Sequence, residues 1–201
     1  PALITAVRSG AVDITANSQG AFANVVPEYA AFGMPFLFSD LPSAWKTMDG
    51  PVGKELADKT AEKGMVVLGY WDNGIRHVSN KLRPINSPAD MKGMKFRTVG
   101  LAVDMYTDMG AAVNPLPGGE IVPALDRGLI DGAEFNNASS DRVLGFPDVV
   151  KNCMLQSFHQ SGEQFEILFN KAKLNALPAE LKSIIDYAVQ ASSAEMSWKA
   201  I

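Results

Sequence analysis

The chain has 201 residues, which is enough for one large domain or two small ones. Hydrophobic residues make up 47% and charged residues 20%, so a largely disordered chain is excluded. The formal net charge is −4, with 22 acidic and 18 basic residues and no long run of either sign, which argues against a nucleic-acid groove. No apolar stretch approaches the roughly 20 residues of a membrane-spanning helix, so direct membrane insertion is not expected.

One pattern occurs twice, at residues 6–13 and 124–131. Both copies read small, apolar, two variable residues, Gly, one variable residue, apolar, Asp. A helix is predicted to end at Gly10 or Gly128 in the left-handed conformation, with a short buried strand directly after it. Chance is one explanation, because a glycine between a helix and a strand is common in α/β proteins. A true repeat instead predicts one helix-turn-strand unit in each of two lobes, with a ligand cleft between them.

The rest of the first lobe is predicted to contain a helix, a second amphipathic stretch at residues 53–63, and a strand. The helix begins near Pro42 and is expected to bury Trp45, Met48 and Val52 on its inner face. Residues 65–71 are the clearest buried strand of the chain.

The composition changes at Asp72, where we place the crossing between lobes. The predicted boundaries are 1–73 for the first lobe, 74–163 for the second, and 164–201 for a return to the first lobe and the start of a C-terminal helical region. Within the last segment, residues 164–170 are predicted as a strand. The first residues already have a mid-helix pattern and the last helix has no cap, so we expect parts to be missing at both ends.

The second lobe is predicted to alternate helices and strands. Ser87 caps a short helix with Pro88 in its first position. Residues 94–98 form a strand, residues 101–109 a helix, and residues 111–116 another strand before the second copy of the repeat.

The usual enzyme signatures are missing. There are two histidines, His77 and His159, and no Gly-x-Ser-x-Gly motif, so the sequence offers no nucleophile and base for a hydrolase. Dinucleotide and phosphate-loop motifs are absent, and residues 117–120 are only a weak phosphate signal. Cys153 is the only cysteine, which excludes an intramolecular disulfide and a thiolate metal cage, and its apolar neighbours predict a buried thiol.

Charged residues on predicted strands indicate binding instead. Arg97 has apolar neighbours, so its guanidinium needs either an internal carboxylate or a ligand carboxylate, and Arg76 presents the same two alternatives. Glu134 ends the second strand of the repeat and either holds one of these arginines or contacts a ligand or cation. Phe135 and Phe158 are candidate walls of a cleft, although aromatic residues are more often core.

Several longer segments match a known family in the right order. They are residues 9–13, 34–38, 69–77, 83–85, 90–97 and 120–134. Over nearly its whole length the chain resembles the solute-binding subunits of tripartite ATP-independent periplasmic (TRAP) transporters, of the DctP type. The resemblance implies an α/β, two-lobed periplasmic-binding-protein-like fold, in which each lobe is a mostly parallel sheet flanked by helices and the ligand cleft lies between the lobes. It also implies a periplasmic receptor without enzymatic activity or cofactor, which binds an organic acid and delivers it to a membrane permease.

The resemblance further implies roles for individual residues. Arg97 would clamp the substrate carboxylate and Arg76 would assist it. The family often has Glu-Asn-Pro where this chain has Glu134 and Phe135 followed by Asn136, so Asn136 would take over the role of the asparagine. The expected substrate-binding residues are Arg97, Arg76, Asn136, Glu134, Phe135, Asn17, Ser18, Gln19, Trp71, Asn73, Gly118 and Phe158. Gly118 would leave room for a larger or aromatic acid, and selectivity is expected to lie mainly in the second copy of the repeat.

One subgroup of the family offers an alternative, in which a cation bridges an oxo- or hydroxy-acid to the protein. Its ligands here would be Glu134, Phe135 and Gln160. Arg76 stands where that subgroup has an acidic or amide ligand, and a guanidinium disfavours a cation beside it. We therefore expect direct clamping by arginine. The remaining hypotheses are an enzyme on a related two-lobed fold and an interaction domain whose Arg97 is satisfied by internal carboxylates.

Overall fold

The computed structural model describes residues 2–155 and 159–200, with the side chains of those residues except Leu41. Its helices in this part of the chain are α1 (Ala2–Ser9), α2 (Leu41–Met48), α3 (Pro51–Glu62), α4 (Ala102–Asp108), α5 (Ile121–Asp126), α6 (Ala138–Leu144), α7 (Phe146–Val149), α8 (Lys171–Ala176) and α9 (Ala179–Lys199). Its strands are β1 (Ile14–Ser18), β2 (Met65–Asp72), β3 (Val78–Asn80), β4 (Lys95–Arg97), β5 (Ala112–Val113), β6 (Gly132–Glu134), β7 (Asn152–Met154) and β8 (Gln164–Asn170). None of the helices described is long and apolar enough to cross a membrane.

The strands form two sheets, one in each lobe of the expected α/β fold. The first sheet has the order β1-β8-β2 and the second has the order β5-β4-β6-β3-β7. Separate clusters of buried apolar side chains pack against them: Val7 and Leu168 belong to the cluster of the first sheet, and Phe96 belongs to one of those of the second.

The expectation of mostly parallel sheets is wrong in its detail. In the first sheet β8 runs antiparallel to both β1 and β2. In the second sheet β4 is parallel to β5 and β6, whereas β3 is antiparallel to β6 and β7. The strands β3 and β8 each enter their sheet directly from a crossing between the lobes. Because no helix connects them to a parallel neighbour, they pair in the antiparallel direction.

The repeated helix-turn-strand unit is confirmed in both lobes. Helix α1 ends at Ser9 and is followed by Gly10 with φ of 77°; helix α5 ends at Asp126 and is followed by Gly128 with φ of 72°. The strands β1 and β6 begin later than predicted, because an irregular segment separates each glycine from its strand. The two copies therefore share their turn and differ in strand length.

The prediction for the inner face of the helix near Pro42 is wrong for two residues. Trp45 is 44% exposed and Val52 is 48% exposed, while Met48 is buried. The prediction assumed one continuous helix, but α2 ends at Met48 and α3 begins at Pro51, so the helical spacing is interrupted.

Other local predictions have mixed outcomes. Strand β8 has the predicted bounds, and Ser87 forms a capping box with Asp90, although the turn that follows is a short 3-10 helix over Pro88–Met91. Cys153 is exposed rather than buried, because it lies on β7 at the edge of the second sheet.

Candidate ligand-binding site

A cavity of about 660 Å³ lies between the two sheets. The ends of both repeat units reach it: Asn17 and Ser18 come from β1, and Phe135 and Asn136 directly follow β6. Arg97 reaches it from β4. Ligands of open α/β folds commonly bind at the ends of strands in this way. We call this cavity the cleft.

Arg97 is held through two of its three guanidinium nitrogens, while the third is open. It is 4% exposed, and the strand that carries it pairs with β6 at Ala133. Its Nε donates a hydrogen bond to the carbonyl of Leu116 at 2.8 Å, and Nη1 donates one to the carbonyl of Glu134 at 2.7 Å. Burial lowers the pKa of Arg97. Its Nη2 has no hydrogen-bond partner among the residues that the structure describes, and the side chain lines the cleft.

Arg76 is paired internally with two carboxylates. Its Nη1 donates to Oε2 of Glu134 at 2.6 Å, and its Nη2 donates to Oε1 of Glu163. Burial opposes the charge on Arg76, but the two carboxylates outweigh burial and raise its pKa. Arg76 also lines the cleft. Of the two alternatives for this residue, the structure therefore contains the internal pairing.

Glu134 lies beneath the wall of the cleft and is 1% exposed. Its Oε1 accepts a hydrogen bond from the hydroxyl of Thr98 at 2.8 Å, while its Oε2 accepts from Arg76. Burial favours the neutral acid, but Arg76 and then Arg97 outweigh it and lower the pKa of Glu134. The carboxylate thus serves as an anchor for the two arginines.

The donor set of the cation alternative does not fit a metal ion. Both oxygens of Glu134 are engaged by Thr98 and Arg76, and the positive guanidinium stands where a cation would have to bind. Within residues 2–155 and 159–200, no group of three or more His, Cys, Asp or Glu side chains is placed to hold a metal. Gln160 and Phe135 do line the cleft, but as part of its general wall.

Asn136 is fixed so that its amide nitrogen stays open. Its side-chain oxygen accepts a hydrogen bond from Nδ2 of Asn73, its backbone N–H donates to Asp141 at 3.1 Å, and its carbonyl accepts from the backbone of His77 at 2.8 Å. No hydrogen bond of its Nδ2 occurs within the described part of the chain. The group can therefore donate to a ligand oxygen in the cleft.

Glu163 is a residue of the cleft that sequence reasoning missed. It is 3% exposed, lines the cleft and directly precedes β8. Its Oε1 accepts a hydrogen bond from Ser18 at 2.6 Å as well as from Arg76. The sequence did contain a signal for Glu163. It is an acidic residue at a predicted crossing between the lobes, and such a crossing lies beside the cleft.

Four other predicted contact residues do not line the cleft themselves but pack against residues near it. Gln19 is buried against Met48, and Trp71 stacks on Phe165 with ring centroids 5.3 Å apart. Asn73 positions Asn136, as described above. Phe165 is itself a wall of the cleft that sequence reasoning did not find.

Gly118 is the fourth of these residues and lies under the aromatic wall. A Cβ atom at this position would be 2.6 Å from Cε2 of Phe135. The space expected for a larger ligand is therefore filled by the Phe135 ring, which also lies 5.8 Å from the guanidinium carbon of Arg97. Phe158 lies outside the described residues.

The fold and the cleft define a class of protein: a two-lobed solute-binding protein with a guanidinium open to a ligand between its lobes. Comparison of sequences agrees, because the model of bacterial extracellular solute-binding protein family 7, DctP, matches residues 1–201. The chain belongs to this family, which consists of solute-binding proteins rather than enzymes.

Three relatives illustrate the similarity. The 2,3-diketo-L-gulonate-binding periplasmic protein YiaO of Escherichia coli K12 is 34% identical over 193 residues, which cover 94% of this chain and 57% of YiaO. Solved structures of TRAP periplasmic solute-binding proteins from Roseobacter denitrificans, with β-D-glucuronate, and from Sulfitobacter sp. NAS-14.1, with β-D-galacturonate, are 34% and 30% identical. Their TM-scores are 0.87 and 0.89, and the similarity covers 98% and 100% of this chain and 65% and 69% of theirs. The chain thus spans a little over half of its curated relative.

Proposed function

We propose that this chain is the ligand-binding part of a periplasmic receptor that binds a sugar acid and delivers it to a TRAP membrane permease. The observation that carries the proposal is the open Nη2 of Arg97 in the wall of the cleft. A buried guanidinium with a free donor recognises a carboxylate strongly, because charge-assisted hydrogen bonds gain strength away from water. An interaction domain whose Arg97 is fully satisfied would leave no such donor.

The other walls of the cleft suit a polyhydroxylated ligand. Asn17, Ser18 and Gln160 offer polar groups, and Asn136 offers an amide N–H. Aromatic and small apolar residues form the remaining surface, including Phe165. Sugars combine hydroxyls at their edge with apolar C–H groups on their faces, so both kinds of wall are matched. The sugar acids that the relatives bind have the same two features.

Delivery to the permease would depend on closure of the two lobes. Ser18 of the first sheet and Asn136 of the second would then contact the same ligand, so that the bound acid stabilises the closed form. Uptake of labelled acid into cells tests this step, and we expect it to fail without the receptor.

Titration calorimetry of the full chain with D-glucuronate, D-galacturonate and 2,3-diketo-L-gulonate tests the receptor. We expect at least one of them to bind, and Arg97→Lys to weaken that binding by tenfold or more, because lysine loses the forked geometry of arginine. The matched control is Arg127→Lys, since Arg127 is exposed and outside the cleft. Unchanged affinity in Arg97→Lys would overturn the clamp, and loss of binding with a chelator would favour the cation alternative.

A further inference from the structure

We propose that the cleft selects acids with one carboxylate over acids with two, and that Glu163 is the residue that determines this selectivity. The inference rests on the proposed function, because it concerns which acids the same cleft accepts. Its basis is the balance of buried charges around the ligand position and the open oxygen of Glu163.

Two guanidinium groups and two buried carboxylates lie at the cleft before any ligand binds. Arg76 and Arg97 carry the positive charges, and Glu134 and Glu163 carry the negative ones. Among the described residues, Arg76, Arg97 and Glu163 are the charged side chains that line the cleft. One ligand carboxylate finds the open donor of Arg97. A second carboxylate finds no unpaired cation, and burying a charge without a partner is costly.

Neighbouring titratable groups do not supply the missing positive charge. Burial lowers the pKa of His159 to about 4, so this imidazole is neutral near pH 7. Burial raises the pKa of Asp141 to about 7, so its carboxyl group adds negative charge as it ionises. Both groups interact electrostatically with Glu134 and Arg76, and neither favours a doubly charged ligand.

Glu163 also provides a positive reason to prefer hydroxyl groups. Its Oε1 is occupied by Ser18 and Arg76, whereas its Oε2 has no hydrogen-bond partner within the described residues. A carboxylate oxygen only accepts hydrogen bonds, so Oε2 attracts a ligand hydroxyl and repels a ligand carboxylate. Glu163 contacts Ser18 of β1 and Arg76 of the crossing, so it lies between the two lobes and faces a ligand enclosed by both.

The test compares D-gluconate with D-glucarate, which differ only in that a terminal CH₂OH of the first is a carboxylate in the second. Titration calorimetry of the full chain, with D-glucuronate as a further monocarboxylate, gives the ratio of affinities. We expect the tighter monocarboxylate to bind at least tenfold more tightly than D-glucarate. In Glu163→Gln the affinities for the tighter monocarboxylate and for D-glucarate should differ by no more than about threefold, because the glutamine removes one negative charge and offers N–H donors.

The matched control is Glu166→Gln, the same substitution three residues further along. The Glu166 carboxyl group accepts from Tyr29 at 2.6 Å and does not line the cleft, so the ratio should stay as in the unmodified chain. Because the ratio is measured within one variant, partial unfolding does not alter it. Two results would overturn this inference without contradicting the proposed receptor function. One is that D-glucarate binds more tightly than both monocarboxylates. The other is that the affinity ratio in Glu163→Gln equals that of the unmodified chain. Failure of every acid to bind would overturn the proposed function itself.

Discussion

Gln164 and Asp72 join the two chain segments that cross between the lobes. Nε2 of Gln164 donates a hydrogen bond to Oδ2 of Asp72 at 2.6 Å. Oδ1 of Asp72 accepts from the backbone N–H of Gly74 at 2.6 Å, and the backbone N–H of Asn73 donates to the carbonyl of Glu163 at 2.7 Å. The crossing segments are thereby bound to each other beside the cleft, which places Glu163 and Arg76 in contact.

Substitution of Asp72 tests this connection. Asp72→Ala leaves the N–H of Gly74 and the amide of Gln164 without an acceptor, and we expect it to lower the free energy of unfolding by about 2–4 kcal/mol. Asp72→Asn should cost less than about 1 kcal/mol, because Oε1 of Gln164 has no partner and can accept from the new amide after rotation. Urea unfolding at pH 7 measures both. Equal losses in the two variants would contradict this account of the crossing.

The contact of Gly118 with Phe135 leads to a prediction about binding. In Gly118→Ala the new Cβ would clash with the Phe135 ring, which must move toward the cleft. We expect the affinity for the bound sugar acid to fall by about tenfold, which corresponds to about 1.4 kcal/mol. Titration calorimetry of the variant and the unmodified chain measures this change in affinity.

Gly119→Ala is the control for this substitution, since no atom lies within 4 Å of a Cβ at that position. We expect its affinity to stay within about twofold of the unmodified chain. A similar loss in both variants would show that the turn, and not the Phe135 ring, is responsible.

The buried carboxyl group of Glu166 predicts a dependence of stability on pH. Burial raises its pKa to about 7 from the ordinary glutamate value of 4.5, although the hydroxyl of Tyr29 partly opposes this shift. Between these two values the folded state binds more protons than the unfolded state, so the contribution of Glu166 is largest at low pH and is lost as pH rises toward 7. The total loss is on the order of 3 kcal/mol.

Unfolding free energies of Glu166→Gln and the unmodified chain at several pH values between 4.5 and 8 measure this contribution. The glutamine stays neutral, so the variant should become more stable relative to the unmodified chain as pH rises. Asp72 and Asp141, whose pKa values burial raises to about 6 and 7, act in the same direction in both proteins and cancel in the difference. A difference that does not change with pH would contradict the prediction.

The repeated turn predicts the cost of replacing its glycine. No atom lies within 4 Å of a Cβ at Gly128, so Gly128→Ala should lose only the conformational term for φ of 72°, about 1 kcal/mol. Gly128→Asn should lose less, because asparagine tolerates the left-handed region better. Gly10→Ala should resemble Gly128→Ala, since its nearest neighbours are at ordinary contact distance. Chemical denaturation measures the free energy of unfolding of all three variants. An unchanged free energy of unfolding in Gly128→Ala would contradict the prediction.

The family resemblance indicated Arg97 as a site residue. The sequence around Arg97 alone left two alternatives for the partner of its guanidinium, an internal carboxylate or a ligand carboxylate. The structure contains parts of both, since Nη1 lies 3.6 Å from Oε1 of Glu134 while Nη2 has no hydrogen-bond partner among the described residues. For Arg76 the internal alternative is present, through Glu134 and Glu163. Sequence pattern could not separate these alternatives, because it does not show which carboxylates reach a given strand.

The sequence by itself determined the local features: the two helix ends at Gly10 and Gly128, the bounds of β8, and the family. These depend on steric preference and on apolar spacing within a few residues, which a short window contains. Only the tertiary structure decided that β8 lies between β1 and β2, and that Glu163 therefore meets Ser18, 145 residues away in the chain. Sheet order and buried charge balance arise from distant segments packing together, and no local pattern specifies that packing.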